Sequence, residues 1–234
     1  MKLLDTDKFE FKLDRRLRYT TLFWLFFLGS IAGFVLEGLW RIILVGHWEN
    51  HSATVWGPFC IVYGIGGVTM FTVACFIDKK PFFVQFGVYA VIGSVVEYIA
   101  SVFQEYVFGS RSWDYSDHLL NLHGRITLQM TLIWGVLGVL FVKLFFPIIV
   151  RLQDVPEGKV ARVICAAATV FMVVNLCVTA AAVLRWQGRI EGRLAENRID
   201  RLLDERFGND RMTAIFSNMV FVDSAADVSE GEAA

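Results

Sequence analysis

Residues 82–108 read FFVQFGVYAVIGSVVEYIASVFQEYVF, an apolar stretch that carries two carboxylates, Glu97 and Glu105. A helix needs about 20 apolar residues to cross the hydrocarbon core of a bilayer, so this stretch is long enough. A carboxylate at that depth costs at least ~2.5–3.5 kcal/mol on insertion scales and is normally found facing protein or water, with a partner. The stretch therefore predicts a membrane helix, and Glu97 near its middle predicts a buried polar site.

Further apolar stretches continue this pattern along the chain. Of the 234 residues, 56% are hydrophobic, which is too large a share for an ordinary soluble domain. The apolar residues are continuous rather than alternating, which favours helices over the strands of a membrane barrel. The predicted fold class is therefore all-α, a polytopic integral membrane bundle of five transmembrane helices. Their expected bounds are 19–45, 55–76, 82–108, 128–150 and 161–184.

Composition divides the chain into three parts. A charged N-terminal segment, 1–18, precedes the transmembrane domain, 19–184, and a tail, 185–234, follows it. Up to about Phe207 the tail has the apolar stripe of an amphipathic helix, which could extend the fifth helix or lie along the membrane interface. Past Gly208 the tail is acidic and rich in small residues, which predicts a frayed end.

Basic residues are distributed unevenly around the predicted helices. Six Lys and Arg residues lie within 1–18, whereas 46–54 contains none. The positive-inside rule then predicts a multi-pass protein of the cell membrane with a cytoplasmic N-terminus, and five spans place the C-terminus outside. Five arginines within 185–201 conflict with that placement. A fifth segment that dips into the membrane and returns is the alternative.

Charge and motifs argue against several classes of function. The formal net charge of -1 gives no reason to expect a nucleic-acid partner. The chain contains no Walker A motif, so it is not expected to be a P-loop ATPase. Its four cysteines fall in apolar runs without a CxxC pair, as is typical of small buried side chains. We expect no cofactor and assign no catalytic residue.

The first predicted helix carries a polar face of its own. Ser30, Gly33, Glu37 and Arg41 follow one another at steps of three and four residues. The small residues would let a neighbouring helix approach closely, and Glu37 and Arg41 are spaced to form an ion pair. Two interpretations stay open: a carboxylate that faces an internal cavity, or a neutralised ion pair that holds two helices together.

A second polar face lies on the third helix and a third polar region precedes the fourth. Glu97 shares its face with Ser101 and with Glu105, which lies near the helix end and could reach water. The connection contains 112–116 (SWDYS) and 121–125 (NLHGR), whose residue types cap helices and favour the membrane interface. Arg125 could pair with a membrane carboxylate or bind an anionic group. The candidate partners of Glu97 are Arg125, Arg41 and Tyr63.

The candidate substrate or intramembrane polar site draws on all three regions. Its predicted members are Glu37, Arg41, Tyr63, Glu97, Ser101, Glu105, Asp114, Tyr115, Asn121 and Arg125. No metal is expected, because the histidines match no specific ligand motif, although imidazole beside carboxylate suits a transition metal. The histidines concerned are His47, His51, His118 and His123.

In this order and spacing the polar segments resemble the CmpB-type membrane proteins, a family labelled as ABC-transporter permeases. The resemblance covers about 21–142; His123 departs from it where Asn is common, and Ile61-Val62 depart where a Pro is common. It is carried by Gly33…Glu37, Gly57-Pro58…Tyr63-Gly64-x-Gly66, Glu97-Tyr98-x-x-Ser101…Glu105, Trp113-Asp114-Tyr115-Ser116 and Asn121-x-x-Gly124-Arg125. The resemblance implies a permease-like subunit that works with a separate ATPase.

We therefore interpret the chain as a permease-like transport subunit of unknown substrate. One alternative is a membrane enzyme or lipid-headgroup-binding protein that uses Glu37, Glu97 and Arg125. Another is a non-catalytic scaffold in which these charges only specify helix assembly. The expected partners are the lipid bilayer, a separate ATPase subunit and further copies of the chain in a homo-oligomer.

Overall fold

A computed structural model describes residues 17–153 and 158–222, and in that part the chain forms a helical bundle. This confirms the predicted all-α membrane fold class. Most of the charged N-terminal segment and the acidic end of the tail lie outside the described residues. The helices are α1 (Tyr19–Val45), α2 (Ile61–Ile77), α3 (Phe82–Phe108), α4 (Leu128–Leu140), α5 (Phe146–Leu152), α6 (Lys159–Ile190), α7 (Arg198–Arg206) and α8 (Asn209–Ile215). The short strands are β1 (Ser110–Arg111), β2 (Asn121–Leu122), β3 (Ile126–Thr127) and β4 (Val220–Phe221).

Among the described residues, four helices are long and apolar enough to cross a membrane, and a fifth is apolar but shorter. The four are α1, α3, the continuous helix Leu128–Leu152 and α6. Within Leu128–Leu152, a π-helical turn at Phe141–Phe145 joins α4 to α5. The shorter helix, α2, has 17 residues, which correspond to about 25 Å at 1.5 Å per residue.

The predicted start of the second helix is wrong. Residues 55–60 form a loop before α2, because Gly57 adopts a φ of +82°, which takes the chain out of the helical region. Three hydrogen bonds from α6 hold this loop. Thr179 Oγ1 accepts from the Val55 amide, and Asn175 accepts from the Trp56 amide and donates to the Trp56 carbonyl. Hydropathy alone does not distinguish such an apolar loop from the first turns of a helix.

The tail is ordered beyond the position at which fraying was predicted. Instead of fraying past Gly208, the chain forms α8 and then β4, which pairs antiparallel with β1. The packing is apolar: Met212, Phe216 and Phe221 are buried in one cluster with Trp186 of α6. The tail is therefore neither a simple extension of the fifth helix nor an unattached interfacial helix.

The loops gather at the two ends of the bundle. At what we call the capped end, residues 191–222 contact both 46–60 and 109–127. The start of α1 and the residues around Gln153 meet at the other, or basic, end, where Gln153 Nε2 donates to Thr21 Oγ1.

Helix α6 runs the full distance between these ends. Thr169 bonds to Tyr19 at the start of α1, and Thr179 bonds to Val55 at the capped end. A fifth segment that dips in and returns does not fit this single helix of 32 residues.

A core cluster lies between α2, α3, α4 and α5, and includes the buried rings of Phe71, Tyr89, Trp134 and Phe146. Apolar side chains on the outward faces of the helices are exposed, for example Phe83, Ile99 and Val163. An exposed apolar exterior around a small packed core is the pattern of a bundle that lies in lipid.

Candidate polar site between the helices

Glu97 is buried at the interface of α3 and α4, where its side chain accepts two hydrogen bonds. The residue is 5% exposed. Trp134 Nε1 donates to Oε2 at 2.5 Å, and the Tyr115 hydroxyl donates to Oε1 at 3.3 Å. Trp134 reaches this position because α3 has Gly93 beside it, where an added Cβ would lie 2.4 Å from Trp134 Cγ. Glu97 is thus held by two neutral donors.

Glu37 on α1 is connected to the same region through Tyr63 of α2. The Tyr63 hydroxyl donates to Glu37 Oε1 at 2.7 Å. Tyr63 packs on Gly33, where an added Cβ would lie 2.3 Å from Tyr63 Cβ. The ring centroids of Tyr63 and Trp134 are 5.7 Å apart. We call this connected set the carboxylate–aromatic network: Glu37, Tyr63, Trp134, Glu97 and Tyr115.

Arg41 does not form the direct ion pair with Glu37 that its spacing predicts. Its Nε donates to Glu49 Oε2 at 2.6 Å in the loop after α1, although Arg41 still interacts electrostatically with Glu37. The hydrogen bond from Arg41 holds the pKa of the Glu49 carboxyl below its usual range. The first helix therefore presents Glu37 to a tyrosine and directs Arg41 toward the capped end.

Arg125 pairs with Glu105 rather than with Glu97. Its guanidinium donates to Ser101 Oγ at 2.9 Å and to Glu105 Oε2 at 2.8 Å. Arg111 Nε donates to the same Glu105 oxygen at 2.7 Å. Ser101 lies one helical turn from Glu97, so Arg125 adjoins the carboxylate–aromatic network without a direct bond to its buried carboxylate.

Asp114 completes this group of charges. Arg111 Nη1 lies 3.3 Å from Asp114 Oδ2. Hydrogen bonds from Ser116, and then the charge of Arg111, lower the pKa of Asp114. We call Glu105, Arg111, Asp114 and Arg125 the arginine cluster. Glu105 does not simply reach water, which was the plainer expectation for it.

Asn121 shapes the loop that carries Tyr115 and Arg125. Its Nδ2 donates to the carbonyls of Ser116 and His118, and its Oδ1 accepts from the Gly124 amide. Gly124 has a φ of +67°, and an added Cβ there would lie 2.4 Å from Ser116 Oγ. Asn121 and Gly124 are thus positioning residues, which explains the NxxGR spacing on physical grounds.

Sequence reasoning singles out neither Trp134, which bonds to Glu97, nor Asn175, which holds the loop before α2. Asn175 is fully buried and bonds to both the amide and the carbonyl of Trp56. In each case a signal was present, because an indole N–H or an amide within a membrane helix needs a hydrogen-bond partner.

The four histidines lie in two loops. His47 Nε2 and His51 Nε2 lie 3.4 Å and 3.5 Å from the Glu49 carboxylate. His123 Nδ1 is 2.7 Å from the Tyr98 hydroxyl, and the ring of His118 packs on Tyr115. Over residues 17–153 and 158–222, no group of three or more His, Cys, Asp or Glu side chains is arranged to hold a metal ion.

Comparison with known proteins places the chain in a family. Residues 24–180 match the model of a family described as "Putative ABC-transporter type IV". No curated protein and no solved structure matches the chain. The match covers more than half of the 234 residues and includes the whole carboxylate–aromatic network, whereas α7, α8 and β4 lie beyond it. The chain belongs to this CmpB-type family of ABC-transporter membrane proteins.

Proposed function

We propose that the chain is a permease-like membrane subunit of an ABC-type transporter and that the carboxylate–aromatic network is its substrate site. Membership of the family supports the transport role. The observation that carries the site is the burial of Glu97 between two neutral donors, Trp134 and Tyr115. A carboxylate kept inside a membrane helix without a bonded cation is costly, and such residues commonly mark a transport pathway.

The arrangement favours a substrate group that is positively charged or rich in hydrogen-bond donors. The arginines near the network are already bonded to other carboxylates: Arg41 to Glu49, and Arg125 to Glu105. Each carboxyl group offers about four acceptor positions, and Glu97 uses two of them. The rings of Tyr63 and Trp134 add faces that attract cations. A cationic group would supply the positive counter-charge that neither Glu37 nor Glu97 has among its hydrogen-bond donors.

The energy for transport would come from a partner. The chain has no Walker A motif, so ATP hydrolysis requires a separate subunit. We propose that the basic end faces the cytoplasm, where that ATPase would bind, and that the capped end faces outward. The assembly would contain at least two copies of the chain, since oligomers of one chain with closed symmetry are common.

Purification of the tagged chain from source membranes, in mild detergent after cross-linking, tests the transport role. A P-loop ATPase recovered in stoichiometric amount, with the particle mass of an oligomer, is the expected result. Recovery of the intact chain without any ATPase would argue against this function. A phospholipid retained at the network would instead favour a headgroup-binding protein.

The site is tested separately in the purified assembly, reconstituted in lipid nanodiscs. Glu97→Gln keeps the shape of the side chain and removes its charge, so it should change ATP turnover by about tenfold if substrate binding is coupled to hydrolysis. Tyr106→Phe is the matched control, since Tyr106 lies on the same helix and is 91% exposed. Equal turnover in both variants and in the unmodified assembly would remove the network from the proposed mechanism.

A further inference from the structure

The segment that closes the capped end lies outside the family match. We call residues 209–222, which include α8 and β4, the strap. Its apolar side chains, among them Met212, Phe216 and Phe221, are buried against Trp186 and Val55. The strap is therefore a packed part of this chain rather than a mobile appendage.

The strap bonds to both loops that adjoin the polar site. Toward the α1–α2 loop, Asn50 Nδ2 donates to the Ala214 carbonyl, and Ser217 Oγ donates to the Asn50 carbonyl. Toward the α3–α4 loop, Asn218 Nδ2 donates to the Ser112 carbonyl at 3.1 Å. One segment thus connects the loops that follow α1 and α3, the two helices that carry Glu37 and Glu97.

His51 lies where the strap crosses between these loops. Its Nδ1 is 3.3 Å from Asn218 Nδ2. Because the same Nδ2 donates to the Ser112 carbonyl, that atom is the amide nitrogen, and His51 Nδ1 must accept. A neutral ring then carries its proton on Nε2. That atom is buried and lies 3.5 Å from Glu49 Oε2.

We infer that His51 is a proton-operated latch on the strap: the neutral ring holds Asn218, and the protonated ring releases it. An imidazolium donates from both nitrogens, so its Nδ1–H would face the N–H groups of Asn218. Its Nε2–H would at the same time be drawn toward Glu49. The ring therefore stays with the α1–α2 loop, and the strap loses this hydrogen bond while its bonds to Asn50 and its apolar packing remain.

The charged groups that face His51 lie on its own side of the contact. Glu49 of the same loop lies 3.5 Å from the ring, and Arg41 of α1 and His47 contact the same carboxylate. The strap presents the neutral Asn218, and the α3–α4 loop presents the neutral Ser112, with Arg111 bonded to Glu105. Protonation therefore weakens the strap side of the contact alone.

Hydrogen exchange of the full chain in nanodiscs tests the latch without any knowledge of the substrate. After correction for the intrinsic pH dependence, amides of the strap should exchange about tenfold faster at pH 5.5 than at pH 8, because one hydrogen bond is lost. Peptides from α3 serve as the internal reference. Equal corrected rates at the two pH values would overturn the proposal.

Variants separate the latch from a general effect of acid. His51→Gln, which stays neutral, should remove the pH response, whereas His47→Gln, beside the same carboxylate, should keep it. Asn218→Asp should reverse the response, because a carboxylate accepts from the imidazolium. If His51→Gln does not fold, Asn218→Asp still decides, since an unchanged response in that variant contradicts the latch.

Discussion

At the scale of single residues, two contacts decide how Glu97 can remain inside the bundle. Trp134 and Tyr115 donate to its two carboxyl oxygens, and Gly93 provides the space that lets Trp134 do so. Each donor is buried or partly buried, so removing the acceptor leaves a donor without a partner. The stability of this interface therefore depends on an acceptor at position 97 and on a glycine at position 93.

Glu97→Gln should fold better than Glu97→Leu. The glutamine carbonyl still accepts one of the two bonds, whereas leucine leaves both Trp134 and Tyr115 unsatisfied, at ~1–3 kcal/mol per unsatisfied group. Thermal unfolding in detergent should give the highest Tm for the unmodified chain, a lower Tm for Glu97→Gln and the lowest for Glu97→Leu. Val95→Leu on the exposed face of the same helix is the control. A Leu variant as stable as the Gln variant would show that the two donors do not need Glu97.

Gly93→Ala should destabilise the chain by ~1–3 kcal/mol, because the added methyl group would displace Trp134. Gly87→Ala on the same helix is the matched control, since an added Cβ there meets nothing within 4 Å. It should be neutral or slightly stabilising, as Ala is the better helix former. Denaturation in a graded detergent series compares the two. Equal effects would mean that helix propensity, rather than contact with Trp134, governs position 93.

At the scale of the elements, hydropathy predicts the helices whose ends are marked by local chemistry. Helices α1 and α3 have the predicted bounds, and each stops at a glycine with positive φ, Gly46 and Gly109. The loop 55–60 was missed because it is apolar and is held by α6, more than 100 residues away. The ordered structure of the tail was also missed because it depends on a contact that is distant in sequence, the pairing of β4 with β1.

The candidate site was predictable in its charges but not in its pairings. An isolated carboxylate in an apolar helix indicated the burial of Glu97, as the structure has it. Spacing along one helix did not give the partner of Arg41, which lies in the following loop. Side-chain partners on different helices depend on how the helices pack, and the spacing of residues along one helix does not predict that packing.

Two of the five arginines within 185–201 lie at the end of α6 and pair with an acidic residue of α7. Asp204 bonds to Arg185 at 2.8 Å and to Arg189 at 2.6 Å. This pairing neutralises the two positive charges where α6 meets the tail. It also attaches α7 to the end of α6.

Acid should detach α7. Arg185 lowers the pKa of Asp204, so the folded value lies below the unfolded value of about 3.9. The stabilisation that the charged Asp204 gives to the contact between α7 and α6 is therefore present above pH ~4. It is lost as the pH falls through the folded pKa of Asp204. Exchange of amides in Arg198–Arg206 should rise below pH ~4 after intrinsic correction. Asp204→Asn should raise exchange at neutral pH and remove this dependence, whereas Asp210→Asn should leave it in place.

At the scale of the whole molecule, the arrangement of the loops predicts which of them lie on the same side of the membrane. The strap and α7 lie at the capped end with 109–127, and Lys79 lies in the connection between α2 and α3 at the basic end. Whatever the orientation, a residue of α7 and a residue of 109–127 must share one side. The basic residues before α1 and at 79–80 predict that this shared side is outside.

Labelling of intact cells with an impermeant thiol reagent tests both parts of this claim, in a background from which the four native cysteines have been removed. We expect Ser116→Cys and Arg201→Cys to react, and Lys79→Cys to react only after the membrane is permeabilised. Reaction at position 79 alone would reverse the orientation and keep the fold, since positions 116 and 201 would still behave alike. Reaction at position 116 without reaction at position 201 would contradict the fold itself. The loop 109–127 and α7 would then lie on opposite sides of the membrane, whereas the structure has both at the capped end.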